Sequence, residues 1–273
     1  MCFENIFYLE YIAFALFIIG VPVLLFLKKP RRIIRYVVLV CALVLFGFLQ
    51  WACPRPAGAL ELVFYGPWDT ATRLPLIIKL GLVIAGAFFF GRYYCGWICP
   101  KGAVQELLYR PRTALNVPKK IDRPLRYVKY VVLIATILVP VAFDTRFMKH
   151  FGPFRVLFNL GGPAYLVIFL FIILLASIFV GRPFCRYFCP TGALLGIIQR
   201  FASLLKVRVV NRAGCTGCES AQKVCQTGAI SCRSGDDKGS TNIDHAECVE
   251  CMECVDDCNN SVIDYSVKRK EAD

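Results

Sequence analysis

Histidine is almost missing from this chain: there are two in 273 residues, His150 and His245, alongside three methionines. A c-type haem needs C-x-x-C-H, and no such motif occurs. A bis-histidine b-type haem would need both histidines on membrane helices, and His245 lies in a polar tail. Haem is therefore excluded, and the shortage of His and Met weighs against copper handling. Charged residues are scarce too, at 19%. That balance excludes a disordered chain, a collagen-like chain and a coiled coil.

What is present in excess is apolar surface and cysteine. Hydrophobic residues reach 57%, against about 45–50% in soluble domains. A soluble globule could not hide that much, so the composition points to a membrane protein. Fifteen cysteines in so long and apolar a chain do not make a small secreted disulfide scaffold. They point to metal or redox centres.

Five apolar segments are long enough to cross a bilayer: Ile6–Leu27, Ile33–Trp51, Leu74–Phe90, Tyr127–Phe143 and Pro163–Val180. Glu10, Lys79 and Lys129 sit near segment ends, where long side chains can reach headgroups. The first segment lacks a basic flank and a small-residue cleavage site, and reads as a retained helix. Basic loops (28–35, 92–126 and 182–212) alternate with weakly charged ones (52–73 and 144–162). The positive-inside rule then puts the N-terminus outside and the C-terminus in the cytoplasm, in a multi-pass protein of the inner (cytoplasmic) membrane. The same alternation accounts for the net charge of +13 without nucleic acid.

Residues 213–273 are polar and turn-rich, with eight cysteines. A unit of that size needs a staple such as a metal cluster. The fold expected is all-α and polytopic, with about five transmembrane helices in residues 1–212 and a small α+β ferredoxin-like domain in 213–273.

An internal repeat carries part of the cysteine. Gly91-Arg92-Tyr93-Tyr94-Cys95-Gly96-Trp97-Ile98-Cys99-Pro100-Lys101-Gly102-Ala103 matches Gly181 to Ala193 as G-R-x-aromatic-C-x-x-x-C-P-x-G-A. On a regular helix, cysteines four apart share a face. Two thiolates do not saturate a metal, but two copies supply four: Cys95, Cys99, Cys185 and Cys189. The bland alternative is small buried cysteines at helix ends; the repetition favours metal. Arg92 and Arg182, at one repeat position, could offset a thiolate cluster's charge. A degenerate echo, Trp51-Ala52-Cys53-Pro54, reads as a residual turn, and a Cys2–Cys53 disulfide would suit an oxidising compartment.

Cys248, Cys251, Cys254 and Cys258 form a complete C-x₂-C-x₂-C-x₃-C run. Such a run wraps a 4Fe–4S cluster, its fourth cysteine crossing to a second cluster. Zinc is the bland alternative, but zinc sites pair two separated knuckles. Upstream, Cys215, Cys218 and Cys225 form a damaged partner with Ala221 at the third position. Crossed wiring gives one cluster Cys248, Cys251, Cys254 and Cys225. The other has Cys215, Cys218 and Cys258, with Cys232 the candidate substitute; a three-iron or labile cluster is the alternative.

Together these motifs resemble the membrane polyferredoxins of the NapH, NosR and CcoG type, closest in architecture to NapH. The resemblance covers roughly residues 75–265, without the NosR flavin domain or the CcoG immunoglobulin-like domain. It implies electron transfer between a quinone pool or cytoplasmic donor and a partner protein. From the residues themselves follow several one-electron centres, three 4Fe–4S clusters in all, and no hydrolytic constellation.

The leading reading is an electron-transfer subunit of a respiratory oxidoreductase, partnered by other redox subunits, lipid and, as a candidate, quinone. A metal-reducing or assembly protein is the second, and a passive anchor with structural clusters the third. Glu61, Asp69, Asp144, Arg146, Lys149 and His150 could face quinone or a partner, though ordinary interfacial roles fit them better.

Overall fold

The computed structural model describes residues 4–26, 31–49, 56–64, 70–111, 115, 117–201, 203–210, 219–233, 240–257 and 262–267. Cys2, Cys53, Cys215, Cys218 and Cys258, and the expectations placed on them, lie outside these residues.

The protein is mostly helical. Helix α1 (Glu4–Phe26) is followed by α2 (Arg31–Ala42), which runs on as a π-helix to Leu49, and by the short α3 (Pro56–Phe64). Helix α4 (Thr70–Phe90) leads into the first cysteine repeat, a π-turn (Tyr94–Ile98) and then α5 (Pro100–Leu108). Helix α6 (Lys119–Phe143) closes on Asp144 in the left-handed region, a common helix stop. Two short helices follow, α7 (Phe147–Phe151) and α8 (Phe154–Asn159). Helix α9 (Ala164–Phe179) then leads into the second repeat, α10 (Pro183–Tyr187) and α11 (Pro190–Phe201).

Each of the five apolar segments falls on one of these helical stretches. Among the described residues two are long and apolar enough to cross a membrane, Arg32–Leu49 and Lys120–Phe143. Ala13–Leu25, Leu74–Phe90 and Ala164–Phe179 are shorter apolar helices. Only 28% of each long window is buried inside the protein, unlike the core helix of a soluble globule. Val37, Val40, Val44, Val131, Ile134 and Leu138 all face outward. Apolar helices this exposed call for lipid around them.

The C-terminal part holds two small antiparallel sheets. Strand β1 (Leu205–Val209) pairs with β4 (Ile263–Val267), and β2 (Ile230–Arg233) with β3 (Ser240–Ile243). Helices α12 (Glu219–Val224) and α13 (Glu253–Asp257) lie between strands. Residues 205–209 precede the boundary expected at 212, yet their ladder ties them to the C-terminal unit. Their alternating Leu-Lys-Val-Arg-Val pattern suits a half-buried strand.

The two parts share one core. A continuous apolar cluster runs from Phe14, Ile18 and Phe46 through Tyr94 and Trp97 to Val249, Met252 and Ile263. Two lysines depart from expectation. Lys129 does not reach for headgroups: it is fully buried and paired with Glu247. Lys79 is buried beside Phe14 and Pro56.

Candidate metal centres

Both repeats end on the same wide bond. The Cys99 N–H donates to the Tyr94 carbonyl at 2.9 Å, and the Cys189 N–H to the Phe184 carbonyl at 3.0 Å. The first repeat is a π-turn throughout, in place of the regular helical turn expected; in the second the regular helix α10 carries Cys185 and the turn widens only at Cys189. Such turns recur at functional sites. Pro100 and Pro190 then open α5 and α11, where a missing N–H costs nothing.

The repeats also grip each other. Arg182 of the second donates to the Cys95 carbonyl of the first at 2.6 Å. Arg92 of the first lies over Gly192 of the second and donates to the Ala246 carbonyl. Both guanidiniums are buried. Gln105 donates to the Cys185 sulfur at 3.3 Å and accepts from the Phe184 N–H.

Cys95, Cys99, Cys185 and Cys189 lie near enough to influence one another electrostatically. Burial pushes the Cys95 thiol up to about 12. It raises Cys99 and Cys185 as well, and the neighbouring thiols add to each rise. In this seat Cys95, Cys99 and Cys185 are favoured as neutral thiols, or as thiolate ligands whose charge a metal centre takes up.

The second set lines a single pocket. Cys225, Cys248, Cys251 and Cys254 surround it together with Val207, Ile230, Ile243 and Met252. The enclosed space between them is small, about 10 Å³. Burial pushes Cys251 up to about 11 and raises Cys248 and Cys254 well above the usual thiol range. The Ala229 N–H donates to the Cys225 sulfur at 3.3 Å.

Among the described residues, no three His, Cys, Asp or Glu side chains converge as a single metal ion requires. Zinc gathers its sulfurs about 2.3 Å from one point. The donor set, all thiol and mostly buried, fits iron–sulfur chemistry.

The C-terminal unit sits directly on the repeats. A Cβ on Gly96 would collide with the Val249 backbone carbonyl, and one on Gly181 with that of Gln226. The first repeat thus abuts the Cys248–Cys254 run, and the second abuts the loop after Cys225. The Trp97 indole N–H donates to the Glu250 carbonyl at 2.9 Å. Buried Glu250 accepts from Gln199 and from the Val207 N–H, and burial holds its carboxyl up at about 8.

Glu106 was visible in the sequence only as a stray acid in a basic loop. It is buried and ion-paired with both Arg35 and Arg182. Burial works to raise its carboxyl, but the two guanidiniums prevail and hold it below the usual range. Position 106 is glycine in the second repeat, Gly196, and that difference is the one sequence signal that could have singled it out.

Cys232 stands in β2 opposite Thr241, with its N–H on the Gln222 side chain, one residue from buried Ala221. Glu61 accepts the Met148 N–H at 3.1 Å, a role in the fold. Asp69 lies outside the described residues.

Known proteins match this arrangement. A family model described as a 4Fe-4S binding domain fits residues 72–118 and again 162–208, so each copy of the repeat is matched once. Two uncharacterized proteins of Methanocaldococcus jannaschii are similar. One is 32% identical over 247 residues, 88% of this chain and 87% of that protein. The other is 30% identical over 203 residues, 72% of this chain and 81% of that protein. The ferredoxin-type protein NapH of Haemophilus influenzae is 29% identical over 206 residues, 71% of this chain and 69% of NapH. The chain belongs to the NapH/NosR-type polyferredoxin family. No solved structure matches. In this polyferredoxin the 4Fe–4S binding signature falls on the repeats at the helix ends, not on the C-terminal cysteine run.

Proposed function

We propose that this polyferredoxin is an integral-membrane electron-transfer subunit of a respiratory oxidoreductase. It would pass electrons between a quinone pool or cytoplasmic donor and partner redox subunits. The reading rests on one observation: eight described cysteines, five of them buried, gather into two adjacent sets at the shared face of the repeats and the C-terminal unit.

Cys95, Cys99, Cys185 and Cys189 would hold one cluster at the membrane edge. Cys225, Cys248, Cys251 and Cys254 would hold a ferredoxin-type cluster. Cys215, Cys218, Cys258 and the substitute Cys232 would hold a third. When bound, such clusters supply one-electron redox chemistry. The chain's own residues do the rest. The thiols ligate, Arg92 and Arg182 offset negative charge, and Tyr94, Trp97, Val249 and Met252 keep water out.

Two sheet pairs with helices between them support a ferredoxin-like C-terminal unit. The five helical segments and the charge alternation support five spans, with that unit in the cytoplasm. Reporter fusions should place residues 100–125 inside the cell; an outside location overturns the topology.

The cluster assignment is tested by iron and acid-labile sulfide counts with EPR on anaerobically purified protein. Cys185→Ser should lose about one cluster's iron and leave the ferredoxin-type signals intact. Unchanged iron, or loss of a ferredoxin-type signal instead, rejects the membrane-edge cluster.

A further inference from the structure

A buried charge group separates the two cysteine sets, and neither set of ligands requires it. Its centre is Glu106 on α5. Arg182 and Arg35 both pair with it, and Gln226 donates to it at 3.2 Å. Each partner leads to a different cysteine. Arg182 donates onward to the Cys95 and Gly96 carbonyls and acts on the Cys185 thiol. Arg35 donates at 2.7 Å to Glu253, the residue before Cys254, and its charge acts on Cys251. Gln226 directly follows Cys225.

This carboxylate is not part of the repeat's scaffold. At the equivalent place, Gly196 leaves room for the Ala246 carbonyl of the C-terminal unit, which accepts from Arg92. The approximate twofold relation between repeats is therefore broken at Glu106. There a negative charge takes the place of a backbone carbonyl.

We propose that Glu106 is an anion shared by the two cysteine sets, holding Arg182 and Arg35 and lowering the redox potentials of both sets together. The inference rests on the reading that each set carries a cluster. An electron added to either cluster is repelled by Glu106 and drawn by the arginines. All three side chains are buried, so solvent and salt screen these charges little. A change of charge at Glu106 must then register at both sets, whereas a ligand-positioning change would register at one.

The test is a redox titration of the purified protein, following the EPR signal of each cluster. Glu106→Gln removes a negative charge between the sets. Both signals should become easier to reduce, by about tenfold in the reduced-to-oxidised ratio at fixed potential, or about 59 mV for one electron. Glu106→Asp keeps the charge and should leave both potentials near wild type. Movement of one signal alone, or an equal shift in Glu106→Asp, overturns the proposal.

If Glu106→Gln fails to retain iron, Arg35→Gln decides the matter, because it leaves the Arg182–Glu106 pair in place. Both signals should become harder to reduce, the ferredoxin-type one more so; an unmoved membrane-edge signal overturns the proposal. Wild-type protein with ferredoxin-type signals only, and iron to match, overturns the membrane-edge cluster and this inference with it. Both signals present with one unresponsive overturns this inference alone.

Discussion

Replacing Gly96 by alanine should loosen the C-terminal unit from the repeats. The added Cβ would meet the Val249 backbone carbonyl, and a backbone cannot swing aside as a flexible side chain can. Overpacking of this kind costs about 1–3 kcal/mol. Any relief that moves residues 249–250 also strains the 2.9 Å bond from Trp97 to the Glu250 carbonyl, worth about 1 kcal/mol. The sum, roughly 2–4 kcal/mol, is a shift of about thirty- to several-hundred-fold in the docking equilibrium. Hydrogen exchange in detergent or nanodiscs reads it directly: amides of residues 247–255 should exchange faster than in wild type. Gly181→Ala should do the same for residues 226–230, because its obstacle is the Gln226 carbonyl on the other repeat. Gly81→Ala is the control. Nothing lies within 4 Å of its added carbon, and alanine is the better helix former by about 1 kcal/mol. If Gly96→Ala protects residues 247–255 as well as Gly81→Ala does, the repeats are not the seat described.

Cys254→Ser should remove about one cluster's iron and spare the membrane-edge signal, measured by iron content and EPR; full iron retention would withdraw Cys254 from its ligand set. Lys129→Met leaves Glu247 buried with Arg126 at 4.0 Å as its remaining ion-pair contact. It should cost about 3–5 kcal/mol, much of which Glu247→Leu in the same chain restores; thermal unfolding of the three proteins decides. Burial raises the Glu250 carboxyl to about 8, so the native state binds more protons than the unfolded chain between about pH 4.3 and 8. Stability should therefore fall as pH rises through that window and level off above it. Glu250→Gln should flatten the profile, and a variant whose melting temperature tracks wild type across the window would refute the assignment.

Local spacing made the cysteines legible. Three residues between Cys95 and Cys99, two between Cys248, Cys251 and Cys254, three before Cys258, and one repeat of both motifs are all visible along the chain. The crossing of Cys225 into the Cys248–Cys254 pocket could also be written down in advance, because the run leaves its fourth ligand to a partner. The partners of the charges could not be read. Glu106 meets Arg35 across 71 residues and Arg182 across 76, and no periodicity encodes a pair so distant. Lys129 looked like an interfacial lysine because its partner Glu247 lies 118 residues away. The strand at 205–209 was hidden for the same reason: five residues become a strand only once Ile263–Val267 lies alongside. The π-turn of the first repeat escaped because four-residue spacing reads equally well as a plain helical turn, which the second repeat does form.

The shared apolar core fixes an order of manufacture. Val249, Met252 and Ile263 share one core with Phe14, Phe46 and Trp97, residues that leave the ribosome long before them. The seat for the C-terminal unit is therefore made before that unit. A tail made without its helices would present that apolar underside, and the pocket cysteines, to solvent. If the pocket lined by Cys225, Cys248, Cys251 and Cys254 takes a cluster, as proposed above, the helices must be in place before that pocket is complete.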